Sequence, residues 1–174
     1  RAAPCVQSWR VPDESKLVVV LNGPAAIRQV GEMPAVPAVY VSRDEYLGTV
    51  PAFRAGVDYA LDHTDAEIVC ALHDDVQILD PSWQAKVIRH FERHPTCGLL
   101  GFSGAIGLGD ADIYQKPYDP MQLARVGFRS NLSNAEAHGI RSLLPERVAC
   151  LDGFSQIGRR EFWLGHYWGS GPGF

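Results

Sequence analysis

The chain has 174 residues, 46% of them hydrophobic and 21% charged, with a formal net charge of −4. That length supports one domain with a substantial core, and the composition is that of a globular protein. The acidic balance provides no basic stripe to replace phosphate counterions, which argues against a dedicated nucleic-acid binder, and no apolar run nears the roughly 20 residues of a membrane span.

Apolar runs alternate with helix-period segments along the chain. Lys16 to Leu21 (KLVVVL) reads as a buried strand stopped by Asn22-Gly23-Pro24, and Ala38 to Ser42 as a second, shorter one. Thr49 to Leu61 carries Val50, Phe53, Val57 and Leu61 at spacings of three or four, an amphipathic helix. Glu67 to Leu72 is the third strand. Asp80 is placed to cap the next helix with Pro81 at its first position; Trp83, Val87, Ile88 and Phe91 share its apolar face, and it stops before Pro95. Gly98 to Ser103 reads as a strand. Residues 104 to 146, rich in glycine, proline and polar groups, read as a long loop region, a type of segment that is usually functional. Arg147 to Leu151 is a strand leading into Asp152-Gly153. Phe154 to Trp163 turns from strand to helix at Arg159 or Arg160, and the glycine-rich tail from Gly165 is extended. This alternation predicts an α/β fold with a mostly parallel sheet and helices on both faces. Cys5, Cys70, Cys97 and Cys150 form no Cys-x-x-Cys pair. Cys70 and Cys150 lie in apolar runs, as buried free thiols of a cytoplasmic protein would, and no secretory leader pattern opens the chain.

The run Ile68-Val69-Cys70-Ala71-Leu72-His73-Asp74-Asp75-Val76 holds the strongest candidate site. Charge at the C-terminal tip of a buried strand is costly unless paired, and in open α/β sheets that tip is where ligands bind. A divalent metal, Mn²⁺ or Mg²⁺, carrying a phosphorylated ligand would offset the cost through oxygen donors. The plainer reading is a solvated turn.

Other candidates carry plainer readings too. Asn22-Gly23 is placed to touch a nucleotide or simply to end a strand. Gly101, Gly104, Gly107 and Gly109 do not have dinucleotide-fingerprint spacing; a close pass to a ligand or another backbone explains them as well. His90 and His94 are four apart in a last helical turn, favourable to the helix dipole. Asp152 is either an acceptor-side base facing the same crevice as Asp75 or a turn cap. Arg159 and Arg160 either pair with phosphates or lie on a solvated face. His166 reads as a bystander, and Asn131-Leu132-Ser133 is a glycosylation sequon without meaning in a cytoplasmic chain.

Together these segments resemble family-2-type glycosyltransferases of the GT-A fold over roughly residues 5 to 164. Lys16 to Gly23 resembles their second strand and its Asp/Asn-Gly turn. Tyr46-Leu47-Gly48 through Arg54-Ala55-Gly56 resembles their paired N-x-G elements. Leu72-His73-Asp74-Asp75-Val76 with Asp80-Pro81 resembles the D-x-D motif, and Leu151-Asp152-Gly153-Phe154 with Arg159-Arg160-Glu161 resembles the V-D-G and R-R-E segment. The resemblance implies a nucleotide-diphosphate sugar donor, a hydroxyl acceptor, and a metal cofactor (Mn²⁺ or Mg²⁺) held by Asp75. It implies donor contacts at Asn22, Gly23, Arg54, His73 and Asp74, with Asp152 as the visible catalytic carboxylate. His73 replaces the first Asp of D-x-D, Leu21 a base-contacting Asp, and Tyr46 and Arg54 two asparagines. The family's first strand would precede residue 1, and its Glu-Asp motif is not visible after Trp163. The expected organisation is thus a single GT-A-like domain over 1–174, trimmed or reduced at both ends. The competing functions are a non-catalytic sugar- or nucleotide-binding module and a metal-dependent nucleotidyltransferase.

Overall fold

The computed structural model describes residues 8–9, 11–12, 14–29, 38–107, 127–131 and 140–165. The chain divides into two compact units. Unit 1 is Arg1–Gly98 with Gly158–Phe174, and unit 2 is Leu99–Ile157. Unit 1 contains β1 (Leu17–Asn22), α1 (Pro24–Gln29), β2 (Ala38–Arg43), α2 (Thr49–His63), β3 (Ile68–Leu72), α3 (Trp83–Arg93) and α4 (Arg160–Gly165). Unit 2 contains β4 (Leu99–Leu100), β5 (Ser103–Ala105), β6 (Phe128–Ser130), β7 (Ile140–Arg141) and β8 (Cys150–Leu151). Strand β9 (Ser155–Arg159) crosses the boundary, its last two residues belonging to unit 1.

In unit 1, β1 and β2 pair in parallel, Leu17 opposite Ala38 through Asn22 opposite Arg43. Helix α2 packs against β1 and β3. It buries Val57 and Leu61, as its apolar spacing predicts, together with Ala52, while Val50 and Phe53 are half-buried. Helix α3 buries Trp83, Val87 and Phe91, but Ile88 is 49% exposed. Ile88 lies five residues past Trp83, about 140° round the helix, which turns it out of the buried stripe. The helix also starts later than expected. Ser82 is its N-cap, without a side-chain cap bond. Asp80 instead accepts hydrogen bonds from the Ser82 N–H and hydroxyl and from Lys86 Nζ. That arrangement is a local turn before the helix, a role suited to Asp.

Arg159 and Arg160 have a role that neither reading of the sequence contained. The Arg159 guanidinium donates to the carbonyls of Phe91 and Cys97 and sits 5.0 Å from the centroid of the Phe91 ring. Arg160 donates to the carbonyls of Leu61 and Thr64. The last carbonyls of a helix have no partner within the helix, and a cation there also meets the negative end of the helix dipole. The pair therefore closes the C-terminal ends of α3 and α2 rather than pairing with a phosphate or lying on a solvated face. In the backbone, the Arg159 N–H donates to Gly98 and the Arg160 N–H to Glu67.

In unit 2, β5 pairs antiparallel with β6 and β8, and β6 pairs in parallel with β7. The described sheets are thus mixed, with parallel pairing in β1–β2 and β6–β7. Ala105 and Phe128 are buried with Cys150 packed on them. Gly104 is required by this packing, because a Cβ there would run into the Cys150 carbonyl. The close-backbone explanation of the glycines therefore holds at this position. The strand expected over 98 to 103 breaks at Gly101-Phe102, and the expected loop of 104 to 146 contains part of β5 and all of β6 and β7. Its short strands, of two or three residues, are too brief to leave a readable alternation. Cys70, expected inside the core, is exposed as a residue, yet burial around its thiol pushes that group up to about 12, and Cys150 is half-buried. Cys5, Gly109, Leu132, Ser133, His166 and the rest of the tail lie outside the described residues.

Candidate functional site

The sharp end of β3 is the start of the site. His73 follows the strand directly, and the Val76 N–H donates to its carbonyl at 3.2 Å, closing a turn over His73 to Val76. The Asp75 side chain is 79% exposed and that of His73 34%, with His73 Nδ1 at 3.9 Å from Asp75 Oδ1. Asp74 is exposed as well. Across from the turn, the Phe53 ring of α2 meets the imidazole at 80°, with centroids 5.2 Å apart. His73 Nε2 is buried and has no hydrogen-bond partner among the described residues. Two carboxylates thus project from the tip while the imidazole is seated edgewise on an aromatic ring.

The loop that leaves this turn is held from the N-terminal side. Trp9 Nε1 donates to the Val76 carbonyl at 2.8 Å, and the Ile78 N–H donates to Ser8 Oγ at 2.8 Å. Trp83 Nε1, the first side chain of α3, donates back to the Trp9 carbonyl. Fixing both ends of the 73–83 connection limits the conformations open to the two aspartates, which lowers the ordering cost of any ligand they take. Neither Ser8-Trp9 nor Phe53 was legible as part of the site. Phe53 carries only an ordinary helix-face signal, and Ser8-Trp9 carries none.

The other sequence-predicted residues of unit 1 gather at the C-terminal end of β1. Asn22 uses its side chain on the backbone. Its Nδ2 donates to the Gly48 carbonyl at 3.0 Å, and its Oδ1 accepts from the Leu47 N–H at 2.9 Å. Gly48, the N-cap of α2, has φ 84°, a left-handed conformation that suits glycine. Gly23, with φ 96°, is buried against Tyr46. Arg54 forms an ion pair with Asp58 one helical turn on, at 3.2 Å. Both line a cavity of about 530 Å³ with Arg43, Asp44, Glu45 and Leu47. Two arginines against three carboxylates give this cavity no anion-binding excess.

Asp152 belongs to unit 2. Its N–H donates to Ser103, and its carboxylate accepts from the Phe154 N–H at 3.2 Å, the geometry of a turn cap. Near α3, burial and then the neighbouring His94 lower the His90 pKa below its ordinary value, and the two rings lie 4.5 Å apart. That pair stands at the end of the helix, where the sequence places it.

Among the described residues no group of three or more His, Cys, Asp or Glu side chains is arranged to hold a metal ion. A complete protein-built metal cage is therefore not what β3 presents. Ions such as Mg²⁺ commonly use one or two carboxylates and take the rest of their shell from water and substrate phosphates. An exposed Asp75 beside His73 fits that second kind of site.

Comparison with known proteins decides the family. The model of a glycosyltransferase-like family, related to family 2, matches residues 47–159, from the Leu47-Gly48 latch through β3 and its aspartates to Arg159. The chain belongs to this family. Membership implies a GT-A-like α/β architecture, and the strand–helix order of unit 1 agrees with it. It makes the protein a glycosyltransferase in the general sense, a transferase acting between a sugar donor and an acceptor. Neither the curated proteins nor the solved structures contain a match. No helix among the described residues of this glycosyltransferase is long and apolar enough to cross a membrane.

Proposed function

We propose that this glycosyltransferase moves a sugar from a nucleotide-diphosphate donor to a hydroxyl acceptor, assisted by a divalent metal at Asp75. The observation that carries the reading is the Asp75 carboxylate, 79% exposed at the tip of β3 inside the family-matched segment. A carboxylate serving only the fold would be paired or capping, as Asp80 is.

Asp75 would hold the cation, with His73 and Asp74 beside it. The metal would supply positive charge that offsets the charge developing on the departing diphosphate. The anchored backbone after Asp75 would limit how far that turn moves as the charge develops. The Asn22 amide, by latching Leu47 and Gly48, shapes the rim on which the nucleotide is proposed to rest. Asp152 is the proposed base. Its second carboxylate oxygen would take the acceptor hydroxyl's proton as the oxygen attacks the anomeric carbon and the diphosphate leaves.

Calorimetry with Mn²⁺ and ADP, GDP, UDP and CDP tests the donor site on the native chain and on Asp75→Ala. The expected result is metal-dependent binding of at least one nucleotide, weakened at least about tenfold in the variant. Binding that is absent, or indifferent to metal and to the substitution, overturns the reading. Asp152→Asn is expected to keep nucleotide binding and lose transfer. Hydrolysis or transfer of a nucleotide sugar by the native chain separates an enzyme from a binding module.

A further inference from the structure

Unit 2 carries an apolar feature that neither its core nor the proposed transfer uses. Leu143 and Leu144, adjacent in the loop after β7, are 80% and 77% exposed. The next most exposed large apolar residues described, Tyr46, Leu79 and Leu164, each stand singly. Single exposed apolar residues are ordinary on a protein surface, whereas adjoining ones call for a reason.

The loop is braced. The Ser142 N–H donates to the Ser130 carbonyl at 2.9 Å. The Ser142 hydroxyl is shared between the Leu144 carbonyl at 2.7 Å and Glu146 Oε1 at 2.6 Å, and Glu146 Oε2 accepts from Arg129 Nε of β6 at 3.1 Å. Both sides of the leucine pair are thus tied to β6, which leaves little ordering for a partner to impose. The backbone at the tip also suits surroundings poor in water. The Leu144 carbonyl already has a donor within its own loop, and Pro145 has no N–H to satisfy. Backbone groups that enter lipid must find their partners within the protein.

The charges beside the tip favour one sign of surface. Glu146 is paired with Arg129, while Arg141 and Arg147 are exposed and have no ion pair among the described residues. The chain as a whole is acidic, so this basic character is local. A stable protein partner would cover about 800 Å² on each side, and two leucines of one short loop supply only part of that. A lipid surface needs no such matching area.

We propose that the 142–146 loop is a peripheral membrane contact. Leu143 and Leu144 enter the interface of an anionic lipid surface, and Arg141 and Arg147 stay at headgroup level against its phosphates. The inference is independent of the donor-site reading.

The test is co-sedimentation of the chain with vesicles of phosphatidylcholine alone and of phosphatidylcholine mixed equally with phosphatidylglycerol. The native chain is expected to bind the mixed vesicles and to bind the neutral ones more weakly. Replacing both leucines, Leu143→Asn with Leu144→Asn, is expected to weaken binding to mixed vesicles at least about tenfold. Each basic side chain near an anionic surface strengthens binding about fivefold. Arg141→Gln with Arg147→Gln is therefore expected to lower the preference for mixed vesicles by about tenfold or more. Far-ultraviolet circular dichroism melts confirm that both variants are folded. Vesicle binding that is absent, indifferent to the leucines or indifferent to lipid charge overturns the inference. A leucine-dependent dimer in lipid-free sedimentation velocity assigns the pair to a second copy of the chain and overturns it as well.

Discussion

At the scale of single residues, Asn22 shows how a position with a functional signature can be fully employed by the fold. Its amide satisfies one carbonyl and one N–H at the entrance to α2. Asn22→Ala leaves both without that partner. Each such bond contributes about 0.5–1.5 kcal/mol net, so a loss of about 1–3 kcal/mol is expected. Urea denaturation measures it. A variant of native stability but weakened nucleotide affinity would instead assign the amide to the ligand. The sequence displayed Asn22 and Asp75 equally well, because both end an apolar run in a polar group. It could not display which polar group the backbone would claim, since Leu47 and Gly48 lie 25 and 26 residues away.

At the scale of elements, the approach to α3 offers a pH-dependent test. Hydrogen bonds from Lys86 and then Ser82 hold the Asp80 carboxyl down at about 2, from an ordinary value of 3.8. A carboxyl depressed in the folded state adds stability that is fully present above its unfolded value and is lost as pH falls through the folded one. The contribution should therefore be complete above about pH 4 and disappear towards about pH 2. The melting temperatures of native chain and Asp80→Asn are expected to differ at pH 6 and to converge across that window. The group is on the surface, so the gap should also narrow in high salt. Helices α2 and α3 were legible within a few residues because each buries a stripe at helical spacing. The start of α3 was misplaced because Asp80-Pro81 satisfies the sequence rule for a helix entry. The side-chain bonds to Ser82 and Lys86 that override it carry no sequence signal.

At the scale of the whole molecule, the order of β1, β2, α2, β3, α3 and β4, and of β8, β9 and α4, was legible, while α1, β6 and β7 were not. Nor was strand pairing, because register depends on partners far apart in the chain. Gly104 opposite Leu151 and Ala105 opposite Cys150 leave no mark on the sequence around either strand. The family assignment rested on motif order rather than on any one motif, which is why it survived the replacement of the first carboxylate by His73. Ile157 is fully buried, and Ile157→Ala is expected to cost about 2–5 kcal/mol in a denaturant titration. Arg159 and Arg160 carry a consequence for how the protein is made. Their guanidinium groups reach carbonyls 62 to 99 residues earlier in the chain. During synthesis α2 and α3 emerge before the whole of Leu99–Ile157, and the two arginines only after it. Helices α2 and α3 must therefore wait with open C-terminal ends while Leu99–Ile157 emerges, until the two arginines arrive to close them.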